Sequence, residues 1–185
     1  MSLDAIFAEN LDNLTEEMLA NRILLESSVN YNDVPIIIEK VAVNLGFKLG
    51  KTVRFVKEEI LAGIAYTEKE NVPLNSKRYI VVRDDLEIRD RRYLISIALA
   101  YYVLESSNQY YIKSITNDVL SDVKNTRVER VARAVLMPQK SMSTLLMSPM
   151  ISKLDIESKV NSVAKAFLVP NYAARTRMIE TGFFM

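Results

Sequence analysis

The chain of 185 residues contains no cysteine, no histidine and only four glycines. Each shortage removes a class of chemistry. Without cysteine there are no disulfides and no thiolate metal sites. Without histidine, general acid–base work falls to carboxylates, lysines or tyrosines, and no pair of these stands at a recognisable catalytic spacing. Serine and threonine are plentiful, but none sits in a motif with a base, so no nucleophile stands out. Gly46, Gly50, Gly63 and Gly182 are isolated. No G-x-G-x-x-G or Walker pattern is formed, and a phosphate-cradling loop is not expected. Neither charge sign prevails: 24 basic against 23 acidic residues leave +1. Direct nucleic-acid or membrane-surface binding therefore has no global electrostatic drive. Met1-Ser2-Leu3-Asp4 has no basic start, so a secretory signal is not expected and cytoplasmic is the default location.

What is present is ordinary globular composition, with 49% hydrophobic and 25% charged residues. The length suits one well-buried domain, or one domain with an appendage. The most apolar stretch is Arg91 to Glu105, RRYLISIALAYYVLE. Apolar residues fall on nearly every side at helical spacing, which predicts a buried central helix, too short to span a bilayer.

Around it the chain reads as α+β, mostly helical, with a small sheet of about three antiparallel strands packed beside the central helix. Leu3, Phe7, Leu11, Leu14 and Met18 form a narrow apolar stripe, and Thr15 with Glu16 and Glu17 suits a helix start. Residues 1–30 thus read as a helical arm that either docks on the core or dimerises. The domain proper is 31–185, and 1–185 as one compact unit is the other division. Asp33-Val34-Pro35 predicts a helix start and Gly46 its left-handed end. Val53–Val56, Ile60–Tyr66 and Arg78–Arg83 are β-rich, with a hairpin loop at Asn71–Lys77. Ser106–Asp118 is polar and tyrosine-bearing. A helix from about Asp122 to Met137 turns Val128, Val131, Ala132 and Val135 to one side. Arg127, Arg130 and Arg133 then form a basic strip, read as a solvated face or as a contact for an acidic partner or a phosphate backbone. Met142–Met150 suits a short helix or a pliable binding surface, and Asp155–Phe167 a further helix. The tail Phe183-Phe184-Met185 either tucks in or docks on a partner.

Five of these segments carry a resemblance. Arg92 to Leu104 resembles in its frame the central helix of the ImmA/IrrE family of zinc-dependent peptidases, which reads roughly R-F-T-x-A-H-E-x-G-H-Y-L-L. Phe47-Lys48-Leu49 and Tyr79-Ile80-Val81-Val82 are similar to strands of that family, and Val135-Leu136-Met137-Pro138 to its L-L-M-P helix end. Val169-Pro170-Asn171-Tyr172-Ala173, with Arg177, Met178 and Gly182, follows its closing pattern, with proline for the usual serine and Thr181 for a leucine.

The resemblance implies a zincin-like fold from which the metal site has gone. Ile97 and Tyr101 stand where the family places its two histidine ligands, and Ala98 where it places the general-base glutamate. The third-ligand positions fall on Asn125 and Arg127, and Glu129 is displaced by two residues or more. The implied protein is a pseudopeptidase with no metal and no cofactor. Active members in phages and mobile elements act on helix-turn-helix repressors, so a protein partner of that kind is expected, bound by an antirepressor-like regulator, with a homodimer possible. Candidate contacts are Arg127, Arg130, Arg133, Phe183 and Phe184. The alternatives are an inhibitor of a host defence protein and an enzyme with non-metal chemistry.

Overall fold

Leu11–Asn13 forms a single 3-10 turn, and Thr15 then caps helix α1 (Glu16–Glu26) by accepting the Met18 amide. Helix α2 (Ile38–Asn44) closes at Gly46, whose φ of +84° is the left-handed conformation predicted there. Three strands follow: β1 (Lys48–Thr52), β2 (Ile60–Thr67) and β3 (Arg78–Arg83). Then come the long helix α3 (Ile88–Glu105), strand β4 (Tyr110–Thr116) and helix α4 (Arg127–Leu136). Helices α5 (Gln139–Leu146), α6 (Ile156–Phe167) and α7 (Asn171–Glu180) complete the chain. The computed structural model describes residues 11–55, 57–67, 78–105, 110–116 and 126–184. The fold is α+β and mostly helical, as the sequence predicts.

The sheet departs from expectation in two ways. Among the described residues it has four strands, in the order β1-β3-β2-β4. It is also mixed, because β1 lies beside β3 and runs parallel to it, while β2 is antiparallel to both β3 and β4. A meander would have paired β1 with β2; instead the connection between them passes over β3's place, which makes β1 and β3 point the same way. Strand β4 is hard to read in the sequence because it is an edge strand. Its Ile112 is exposed and only Ile115 among its described side chains is buried, so the alternation of an inner strand is missing. Val53–Phe55, expected as strand, is irregular connection.

Helix α2 starts later than the sequence predicts. The Asn30 side chain holds the Asn32 amide in a turn, and the segment after Pro35 stays out of the helix. Ile36 is buried there, and its carbonyl accepts from the guanidinium of Arg92. That arginine, itself buried on α3, also donates to Leu168 O at 3.2 Å and to Glu39 at 3.2 Å. It binds the first turns of α3 to α2 and to the α6–α7 junction.

Helix α3 is the centre. Every residue from Arg92 to Ala100 is buried, and Tyr102 and Val103 continue the burial. One side of α3 covers β2 and β3, and α4 lies on another. Helix α4 is in turn covered by α1 and α7, with α6 packed on α7. Ser96 costs nothing in this core, since its hydroxyl donates to Tyr93 O at 2.7 Å. Phe47 meets Tyr102 edge-on at 5.0 Å, and Tyr93 meets Tyr172 edge-on at 5.8 Å. No helix among the described residues is long and apolar enough to cross a membrane.

Candidate functional site

Two regions bear on function: the α3–α4 contact, where the resemblance would place a metal, and the surface at the C-terminal helices.

At the first, the central helix is packed shut. Ile97 and Ala98 are both 0% exposed. Tyr101, half-buried at the next turn, lies under Lys113 of β4, whose ammonium is 4.5 Å from the ring centroid. Lys113 is held by Glu105 at 3.2 Å. The strand that sequence reasoning missed therefore closes the end of this helix face.

Asn125 lies outside the described residues. Arg127 begins α4 and donates to Leu11 O at 2.6 Å and Leu14 O at 2.8 Å. Glu129 is buried in a capping box: its carboxylate accepts from Thr126 N at 2.9 Å while Thr126 Oγ1 accepts from Glu129 N. Its work is to start α4. Among the described residues no three of His, Cys, Asp or Glu are grouped so as to hold a metal ion.

The basic strip is corrected by the structure. Arg127, Arg130 and Arg133 do not form an exposed row. Arg130 pairs with Glu16 of α1 at 2.9 Å, and Arg133 is inside the protein at 3% exposure. The cause is that α4 is covered on both sides, by α3 and by α1 with α7, so its charged residues serve internal contacts. The described part of the arm packs inward. Leu19, Ala20, Ile23 and Leu24 of α1 are core residues, and Leu11 and Leu14 pack against that core. Leu3 and Phe7, the rest of the expected stripe, lie outside the described residues.

Arg133 is the hub of a buried polar network. Its Nη2 is 2.5 Å from Glu180 Oε1, and its Nη1 donates to Tyr93 OH at 3.1 Å. Arg177, also buried, pairs with Glu17 of α1, lies 3.8 Å from Glu180, and donates to Met137 O at 3.2 Å. The other Glu17 oxygen accepts from Gln139 N at 2.7 Å, which starts α5. Two arginines and two glutamates thus join α1, α3, α4, α5 and α7. Burial works against the Arg133 charge, yet the hydrogen bonds and charges of Glu180 and Tyr93 outweigh it and hold the guanidinium firmly protonated. The signal in the sequence was the spacing of Arg177 and Glu180, but nothing local tells a buried pair from a surface one.

No family model matches the chain, and no curated protein matches it.

The second region is apolar and open. Phe183 and Phe184 are half-buried and pack on the core. Phe183 borders a recess of about 190 Å³ together with Leu146, Met147 and Met178. The methionine-bearing segment that the sequence singles out supplies helix α5 and then an exposed turn.

Two expected results arise here. Arg127→Ala is expected to cost about 1–2 kcal/mol, less than a fully buried charged donor, because Arg127 is half-buried. Urea unfolding measures the loss, and limited proteolysis should cut faster around Leu11–Leu14. The second concerns alkali. Burial pushes the Tyr93 phenol up to about 12, with Arg133 pulling partly the other way. The folded state then holds this proton more tightly than the unfolded chain, whose tyrosine titrates near 10. The contribution is complete below about pH 10 and is lost as pH rises toward 12, at no more than about 1.4 kcal/mol per unit. Unfolding midpoints across that window should fall more steeply in the wild type than in Tyr93→Phe.

Proposed function

We propose that this chain is a degenerate relative of the ImmA/IrrE peptidases that works by binding a protein, without catalysis. A helix-turn-helix repressor is the preferred partner, and a phage or mobile element the source. The observation that carries this reading is the closure of the central helix. Ile97 and Ala98 are buried where a metalloprotease needs open, polar ligand positions. The described carboxylates around α4, Glu17, Glu129 and Glu180, are committed to capping and ion pairs and are not left as an acid–base pair beside this helix. A chain that spends its polar residues on internal ties has its surface to act with, and the recess beside Phe183 is the surface it offers.

The test uses the purified protein and the repressor encoded nearest to its gene. The two are expected to form a complex on light scattering, with the repressor intact by mass spectrometry whether or not zinc is added. Cleavage of the repressor, or stoichiometric zinc that survives dialysis, would refute the non-catalytic reading. Absence of any complex would remove this partner.

A further inference from the structure

Within that binding reading, we infer that the recess between α5, α6 and α7 receives an acidic amphipathic helix of the partner: one apolar side chain enters it and a neighbouring carboxylate meets Lys159.

The recess has a floor of buried Leu146 and Met178, walls of Met147 and Phe183, and a polar rim of Ser152 and Lys159. Its volume of about 190 Å³ compares with the roughly 150 Å³ cavity that holds a benzene ring, so it takes one large aliphatic or aromatic side chain. Apolar side chains of the same segment and of the start of α6 are also open to solvent. Met147 is 72% exposed, Met150 84% and Ile156 52%. The two methionines are unbranched and polarizable and adapt to an apolar partner.

Charge gives the partner its sign. Two acidic residues lie in this stretch, and both are engaged. Asp155 caps α6 through Ser158, and Glu157 pairs with Arg175. Lys153 and Lys159 form no ion pair among the described residues. Asp155 keeps its negative charge while capping α6, so Lys153, Lys159 and Arg175 set against Asp155 and Glu157 leave one net positive charge on this stretch, and Lys159 is the charged side chain that lines the apolar hole.

The backbone gives the partner its shape. Around the recess the main-chain donors are already used: Met147 N bonds Ser143 O, Ser152 N bonds Ser148 O, and Phe183 N bonds Met178 O. The walls are helices and tight turns, and they offer no ladder to an incoming strand. A ligand here must satisfy its own backbone, which a helix does and an extended peptide does not.

The experiment pans a phage library of short random peptides against the full chain, then measures the winners by fluorescence anisotropy. Enriched peptides should place an apolar anchor and an Asp or Glu within one helical turn and gain helix on binding. They should bind Lys159→Glu roughly tenfold more weakly than wild type. A winner with its acid changed to lysine should recover affinity for Lys159→Glu. Met150→Gln, at a position 84% exposed, is a second variant that leaves the fold alone and should also weaken binding. Winners without acids, winners indifferent to both substitutions, or no enrichment would each overturn the assignment. The wider binding reading has a separate outcome: a repressor that binds wild type and Lys159→Glu equally leaves that function standing and removes this surface from it.

Discussion

Ile97→Asp is expected to lose more than about 4 kcal/mol of stability, and the variant should be largely unfolded under conditions where the wild type is folded. Ile97 is 0% exposed on a helix whose other sides face the sheet and α4, so the new carboxylate would have no water and no described cation placed for it. An isolated buried charge is among the costliest single changes a core can suffer. Two controls separate charge from shape. Ile97→Val should cost only about 0.5–1.5 kcal/mol, and Ile97→Ala about 2–5 kcal/mol. Urea denaturation gives all three. A thermal midpoint unchanged in Ile97→Asp would mean that the position opens onto a wet cleft.

Arg133→Met should cost about 3–5 kcal/mol, because it strips the hydrogen-bonded partner from Glu180 and from the Tyr93 hydroxyl inside the protein. The loss measures the stranded groups more than the net value of the pair. Removing all three polar groups together, as Arg133→Met with Glu180→Leu and Tyr93→Phe, should therefore recover most of the lost stability. Arg177 keeps Glu17 in that variant, so α1 stays attached. A triple variant less stable than Arg133→Met alone would show that the network itself supplies net stability.

Most of the architecture can be read from the chain, and the exceptions share a cause. Helix α3 announces itself because a helix apolar on all sides has only one place to go, and Gly46 marks the end of α2 because its backbone needs the left-handed conformation. Strand β3 falls on Arg78–Arg83 as the sequence predicts. What sequence reasoning misses depends on neighbours distant in the chain. The parallel pairing of β1 with β3 is a choice of partner that no local residue states. β4 is a strand because β2 offers it an edge. Arg133 looks like a surface residue, three and six positions from two other arginines, until α7 covers it with Glu180. Thr126 and Glu129 carry the S/T-x-x-E spacing of a capping box, a local signal passed over in placing the helix start near Asp122, and it marks the buried Glu129 as a structural carboxylate.

The C-terminal surface was legible in composition only. Methionines at 142, 147 and 150 point to a pliable region, but Met142 is buried in the core while Met147 and Met150 are exposed. Which methionine faces outward is decided by the turn after α5, where Ser148 O accepts from both Ile151 N and Ser152 N.

The most direct measurement of a non-catalytic binding role is native co-purification from the host followed by intact-mass analysis of the complex. The expected result is a defined complex whose partner keeps its full mass, recovered equally when zinc is supplied or chelated. A chain that stays strictly monomeric, retains no partner and turns over a small substrate would contradict it.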